Sequence, residues 1–237
     1  MTDDRLHFTQ INLRKAHKAS ITFNVRFKSR NTHIGIISEP SLCNKTVTGL
    51  DCGIKLFDNS CSEQPRAALI FRRDVKFLPL FQFVTRDLVA AEINTDLAGN
   101  HIKTVIASGY HDANQDAVSH KLQELVEFCR KEGKQLIYGC DANAHHEVWG
   151  SKSIKPRGRQ LLDFIFSNDL STVNFSCTPT YYTIKKVGHQ LKKQEDVIDL
   201  TLTTSHIFQR VTGWKVSEEP SLSDHRYIDF TLHFQDQ

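Results

Sequence analysis

The sequence predicts an α/β protein in which two mostly antiparallel β-sheets pack face to face with helices outside, a four-layer sandwich forming one domain over residues 1–237. Three observations lead there. Nine short apolar runs of strand length are too many for a simple parallel βαβ chain, and only a few stretches carry helical periodicity. Polar residues suited to chemistry stand at the ends of those runs, near both ends of the chain. The 237 residues are 39% hydrophobic, enough for a sizeable core, and neither an internal repeat nor a long Gly, Ser or Pro linker divides them.

In chain order, the expected strands are Leu6 to Leu13, His33 to Ile37, Gly53 to Phe57, Ala67 to Phe71, Leu88 to Ile93, Ile102 to Ala107, Gln135 to Cys140, Val197 to Thr203 and Tyr227 to Phe234. One helix is expected from about Gln115 to Lys131, where Val118, Leu122, Leu125, Val126 and Cys129 share a face. Another runs from about Arg157 to Asn168, with Leu161, Leu162 and Ile165 inward. Between Lys15 and Arg30 the residues Ala16, Ala19, Phe23 and Phe27 recur at helical spacing, while Ile21, Phe23, Val25 and Phe27 also alternate as a strand would. A helix is the preferred reading.

With 30 basic and 27 acidic residues the formal charge is only +3, so affinity for a polyanion has to come from local clusters. Six cysteines, at 43, 52, 61, 129, 140 and 177, form no C-x-x-C pair, and several lie inside apolar runs, as free thiols of a reducing compartment do. The N-terminus has no apolar signal core. No segment approaches the roughly 20 apolar residues of a membrane helix, so no membrane partner is expected.

The chemistry-bearing residues follow the strands. Asn12 closes the first run and Glu39 follows Ile34-Gly35-Ile36-Ile37-Ser38. A glutamate there can bind a hard cation such as magnesium through oxygen, and an asparagine can add a neutral ligand or hold a water. Taken singly, each is better explained by turn chemistry. Tyr110 ends another run, from which its hydroxyl could reach a phosphate oxygen, although a tyrosine at a strand end is more often packing. Asp141 and Asn143 are two apart and so share a side of an extended chain, the first suited to orient or deprotonate a water and the second to hold a phosphate. Ser223-Asp224-His225 places a histidine beside an acid, and Asp199 brings a further carboxylate, which could fix an imidazole tautomer. The ordered series outweighs any one member.

That series resembles the endonuclease, exonuclease and phosphatase superfamily, which includes deoxyribonuclease I and apurinic endonucleases. More narrowly, Gln10-Ile11-Asn12-Leu13, Ile37-Ser38-Glu39-Pro40, Asp141-Ala142-Asn143-Ala144, Trp149-Gly150-Ser151 with Arg157-Gly158-Arg159, Thr178-Pro179-Thr180, Val197-Ile198-Asp199-Leu200-Thr201 and Leu222-Ser223-Asp224-His225-Arg226 are similar to the endonuclease domain of non-LTR retrotransposons. The Trp-Gly-Ser, Arg-Gly-Arg and Ile-Asp-Leu-Thr stretches look most like the clade with ribosomal-DNA and telomere-specific elements.

The resemblance implies a deoxyribonuclease I-like fold and a chain that is one piece of a polyprotein with a reverse transcriptase domain, acting on double-stranded DNA in the nucleus after synthesis in the cytoplasm. It implies magnesium, with manganese as a substitute, held by Glu39 assisted by Asn12. Asp141 would act on the attacking water, Asn143 and Tyr110 would hold the phosphate, Asp199 would pair with His225, and Asp224 would complete the metal or histidine environment. The product implied is a nick with 3′-hydroxyl and 5′-phosphate ends, the former priming reverse transcription. Three features depart from the relatives: Ala142 between the catalytic pair and His111 after Tyr110, which bear on substrate preference more than on chemistry, and the segment from Ile184 to Asp196, which is long and basic for its place.

DNA contacts are expected at Thr180 and in the basic segment from Ile184 to Asp196, whose Lys185, Lys186, Lys192 and Lys193 surround Gly188 as in a hairpin, or else form a solvated loop. Lys152, Lys155, Arg157 and Arg159 form a second cluster. His145, His146 and Glu147 invite a zinc reading that lacks further Cys or His at structural-zinc spacing. The competing functions are an abasic-site endonuclease or other phosphoesterase of the same fold, and an inactive DNA-targeting module. Against the last, Glu39, Asp141, Asn143, Asp199, Asp224 and His225 are all present.

Overall fold

Two β-strand, helix, β-strand units give the molecule its plan. The computed structural model describes residues 5–50, 54–58, 64–97, 100–188 and 190–234; Gly53, Cys52 and Cys61 lie outside them. The first unit is β1 (Arg5–Asn12), α1 (His17–Ser29) and β2 (Ile34–Ser38), with β1 and β2 parallel. After the small hairpin β3 (Leu42–Cys43) and β4 (Thr46–Val47) come β5 (Ile54–Asp58), β6 (Ala67–Arg72), β7 (Leu78–Pro79) and β8 (Leu88–Leu97). The second unit is β9 (Asn100–Tyr110), α2 (His120–Lys131) and β10 (Gln135–Asp141), with β9 and β10 parallel. Then follow α3 (Pro156–Ser167), β11 (Leu170–Thr172), β12 (Tyr181–Val187), β13 (Gln190–Asp196), β14 (Asp199–Thr204), α4 (Ser205–Phe208), β15 (Val211–Val216) and β16 (Ile228–His233).

One six-stranded sheet runs β15-β16-β1-β2-β6-β5 and the other β11-β14-β10-β9-β8-β7. In each, the central parallel pair is flanked by antiparallel neighbours, so both sheets are mixed and mostly antiparallel. Their inner faces interdigitate through Phe8, Ile36, Leu69, Val89, Ile106, Ile137 and Phe230. The outer face of the first sheet is covered by α1 through Ala19, Phe23 and Phe27. The outer face of the second is covered by α2 and α3 through Leu122, Leu125, Leu161 and Ile165. These are the four layers that the sequence predicts.

Helical spacing wins over alternation in α1 because Ala19, Phe23 and Phe27 form one buried stripe, leaving Ile21 and Val25 exposed. The second helix starts later than expected, at His120, because the Ser119 hydroxyl caps it by accepting the Leu122 N–H at 3.2 Å, a contact of about 1 kcal/mol. In α3, Pro156 occupies the first turn, where its missing N–H costs nothing. Gly158 lets that turn lie against the chain after β10: a Cβ there would fall 1.9 Å from the His145 carbonyl oxygen. No helix among the described residues is long and apolar enough to cross a membrane.

Candidate active site

The two parallel pairs end on the same rim of the sandwich, where open α/β sheets generally place their sites. Asn12 ends β1, Glu39 follows β2, Tyr110 ends β9 and Asp141 ends β10. Asp199 begins β14, which runs antiparallel to β10 with Asp199 directly opposite Asp141. His225 lies just before β16, which runs antiparallel to β1. Residues far apart in sequence therefore converge.

Asp141 is the hub. Its Oδ2 accepts from Asn12 Nδ2 at 2.9 Å and its Oδ1 accepts from the Asn143 N–H at 3.2 Å. Asn12 Nδ2 also donates to Glu39 Oε2 at 3.2 Å. His225 Nδ1 lies 2.8 Å from Asp199 Oδ2, and its Nε2 is 4.0 Å from Asp141 Oδ2. Asp141, Asp199 and His225 are all buried. Asn143 donates one Nδ2 hydrogen to the His111 carbonyl at 3.0 Å, which leaves the other for a substrate oxygen. Glu39 and Asn143 both hold left-handed backbone, with φ of 45° and 46°, a conformation that side chains normally avoid and that clusters at functional sites.

Burial opposes charge on His225, yet Asp199, with help from Asp141 and Glu39, outweighs it and raises the ring to about 9. Burial and then the Asp199 charge push Asp141 up, against the pull of His225, Asn12 and the Asn143 N–H. Tyr110 is pushed up to about 12 by burial and by the Glu39 and Asp141 charges, so its hydroxyl remains a donor. The Arg66 guanidinium sits 4.5 Å over the Tyr110 ring and pairs with Asp87 Oδ2 at 2.7 Å and Asp112 Oδ2 at 2.8 Å. Its backbone carbonyl accepts the Glu39 N–H at 2.8 Å. Arg66 thus steadies two site residues, although no sequence pattern marks it.

Several expectations need correction. Asn12 turns its amide nitrogen to the two carboxylates and so aligns the acids, while its Oδ1 accepts the Arg14 N–H at 2.7 Å. Asp224 pairs with Arg14 instead of with His225. Thr180 is buried, away from any DNA surface, because its hydroxyl accepts the Ile198 and Asp199 N–H groups, both at 3.1 Å. Arg157 turns inward and donates to the Ala142 and Gln115 carbonyls. Of the departures from the relatives, Ala142 and His111 are buried beneath the site. Burial lowers His111 to about 4, and the neutral ring is held between the Ala117 carbonyl at 2.6 Å and the Tyr138 hydroxyl at 2.7 Å.

The segment from Tyr181 to Asp196 is a hairpin, β12 paired with β13, turning at Gly188, where φ is 62°. Its base is joined to the histidine loop: the Tyr182 N–H donates to the Asp224 carbonyl and the Arg226 N–H to the Thr180 carbonyl, each at 2.7 Å. Lys185 and Lys192 stand directly opposite each other, an arrangement that repels unless an anion lies between them. Lys186 is exposed, as is Arg159 on α3. Lys193 and Lys152 both pair with Glu195, at 2.7 and 2.9 Å. His145 Nδ1 pairs with Asp196 at 2.9 Å, and His146 Nδ1 accepts the Val148 N–H at 3.2 Å.

Among the described residues, one group of three potential metal ligands is present, Asp141, Asp199 and His225, with their ligand atoms within 4.8 Å of one another. With His225 Nδ1 engaged by Asp199 and its Nε2 turned to Asp141, the remaining ligand atoms of the site are carboxylate oxygens, including those of Glu39, whose Oε1 lies 3.5 Å from Lys15 Nζ. An oxygen-rich set of this kind fits a hard divalent cation better than zinc.

A family model described as endonuclease-reverse transcriptase matches residues 104–229, just over half of the chain. Among solved structures, the endonuclease domain of TRAS1, a telomere-specific non-LTR retrotransposon, superposes with a TM-score of 0.80 at 26% identity, covering 96% of this chain and 98% of that one. An AP endonuclease from Archaeoglobus fulgidus gives a TM-score of 0.61 at 16% identity over 96% and 99% of the two chains. TDP2 from D. rerio, complexed with a single-strand DNA product, gives 0.58 at 11% identity over 97% and 99%. A comparison with curated protein sequences returned no match.

Proposed function

The chain belongs to the endonuclease-reverse transcriptase family, and from that premise we propose that it is a magnesium-dependent DNA endonuclease that nicks one strand of double-stranded DNA to leave a 3′-hydroxyl primer. The observation that carries this reading is the Asp199–His225 pair facing an Asp141 that Asn12 ties to Glu39. A charged imidazole and a carboxylate whose neighbours favour different protonation states make an acid and base division of labour available at one phosphate.

In this reading, Asp141 orients the attacking water and takes its proton. His225, held positive by Asp199, directs Nε2–H at a phosphate oxygen, and the spare Asn143 N–H and the Tyr110 hydroxyl bind the others. Water adds to phosphorus as the P–O3′ bond breaks, and the departing 3′ oxygen takes a proton from solvent water, which gives 3′-hydroxyl and 5′-phosphate ends. Magnesium, or manganese in its place, would be held by Glu39 and would supply neutralisation of charge on the phosphate and the departing oxygen. The reading extends to a reverse transcriptase domain as partner and to the nucleus as the place of action.

Supercoiled plasmid incubated with the protein is expected to become open circles with magnesium and to remain supercoiled with chelator. No nicking by folded protein would defeat the proposal, whereas cleavage confined to abasic oligonucleotides would move it to the abasic-site reading.

The hairpin supports the choice of DNA because Lys185, Lys186 and Lys192 are exposed on a paired two-stranded extension joined to the histidine loop. Changing Lys185, Lys186, Lys192 and Lys193 to Gln is expected to weaken DNA binding and to flatten its dependence on salt, by about one unit of log–log slope per lysine that meets a phosphate. A slope equal to the parent's would remove the hairpin from the DNA interface.

A further inference from the structure

The interface between the sheets is apolar nearly throughout, with Phe8, Ile34, Ile36, Leu69 and Ile137 among its members. Gln10 breaks that pattern. It is 2% exposed, one step below the catalytic rim on β1, and a side-chain amide buried there is costly unless its hydrogen bonds are made. They are made, with partners on the opposite sheet. Nε2 donates to the Leu200 carbonyl at 3.0 Å and to the Cys140 carbonyl at 3.3 Å, while Oε1 accepts from Thr201 Oγ1 at 2.8 Å.

Those contacts fall beside the chemistry. Cys140 precedes Asp141, Leu200 follows Asp199, and Gln10 lies two residues before Asn12, on the same face of β1. One amide therefore ties the strand carrying Asn12 to the two strands carrying the acids. Gly139 makes room for it, since a Cβ there would come within 2.6 Å of Gln10 Oε1. A parallel arrangement joins the other half of the rim: Ser38 Oγ donates to the Gly109 carbonyl at 2.9 Å, and Ser108 Oγ to the Ile37 carbonyl at 2.7 Å, one residue from Tyr110 and two from Glu39.

We propose that Gln10 is a positioning residue, fixing the separation of the two sheets under the rim so that Asn12 and His225 on one meet Asp141 and Asp199 on the other. The activity arm of this inference rests on the nuclease reading above. An apolar residue of the same length would fill the space, so packing alone does not call for an amide; register between the sheets does. Because an error of about 1 Å in such a centre costs on the order of a hundredfold in rate, a loosened interface acts on kcat.

The test is Gln10→Met, which keeps volume and removes the hydrogen bonds. We expect the variant to fold, with nicking kcat lower by ~10- to 100-fold, KM for DNA little changed, and the His225 ring resonances displaced in NMR spectra. Parental kcat in the folded variant would overturn the proposal, as would an apparent kcat that returns to the parental value once corrected for the unfolded fraction. If the parent protein itself does not nick DNA, the nuclease reading fails, and the His225 resonances then decide alone: displacement supports positioning and identity with the parent overturns it. Should Gln10→Met not fold, Thr201→Val removes the donor to Oε1, and the same drop in kcat at constant KM, or its absence, gives the answer.

Discussion

Asp141→Asn is expected to reduce nicking by ~10²- to 10⁴-fold, the range associated with loss of a general base, while leaving the protein at least as stable as its parent. The first half follows from chemistry, because an amide cannot take a proton from water. It is reinforced by geometry: Asp141 accepts from Asn12 at one oxygen and from the Asn143 N–H at the other, and an amide in its place sets a donor against one of these donors. The second half follows from the cost of burying a charge.

Burial and Asp199 hold Asp141 above the usual carboxylate range, so its ionisation is harder in the folded than in the unfolded chain. The folded state is accordingly penalised as pH rises past the unfolded value, and a neutral asparagine escapes that penalty. Thermal unfolding at neutral pH, measured beside the nicking rate, checks both halves. A variant that loses activity and stability together would mean that Asp141 mainly holds the rim together, and one that keeps full activity would remove it from the reaction.

Strand ends were legible in the sequence because site residues there interrupt apolar runs, which is how Asn12, Glu39, Tyr110, Asp141, Asp199 and His225 could be singled out. Their partners were harder to read. An asparagine offers nitrogen and oxygen alike, and only the fold reveals that Asn12 turns its nitrogen to Glu39 and Asp141 because the Arg14 N–H occupies its oxygen. Thr180 looked like part of the basic face because it adjoins the hairpin, but it lies at the base, where the β14 backbone needs an acceptor. Arg66 has no local signature at all, since Asp87 and Asp112 reach it only through tertiary structure.

The same reasoning explains the elements. Polar residues hid the far part of β8, where buried Thr95 bonds to Thr104 of β9 at 2.8 Å. A shift of register between Thr212 and Lys215 breaks the alternation that would have announced β15. The hairpin could be read as strand or solvated loop because its lysines do not alternate with apolar residues on both strands. What selects a hairpin is the seven-residue antiparallel register from Tyr181 opposite Asp196 to Val187 opposite Gln190, anchored at the histidine loop.

Asp199→Asn is expected to lower nicking at neutral pH by ~10³- to 10⁴-fold without touching a group that meets the substrate, by analogy with loss of the acid that orients a catalytic histidine elsewhere. Asp199 holds the His225 ring through Nδ1 at 2.8 Å, which leaves Nε2 directed toward Asp141 and the cleft. An asparagine can instead donate to Nδ1, reversing the tautomer, and it no longer offsets the burial that opposes a charged ring. With the parent ring at about 9, His225 is positive at neutral pH; in the variant it titrates lower, and NMR of the imidazole reads the change directly. Stability follows the same linkage. A histidine raised in the folded state contributes fully below its unfolded value, about 6.5, and loses that contribution as pH rises through about 9. The difference in unfolding temperature between parent and variant should therefore be largest in mild acid and shrink toward alkaline pH. A difference that is constant with pH would show that Asp199 supports the fold without charging His225, and the electrostatic half of the proposed mechanism would have to be abandoned.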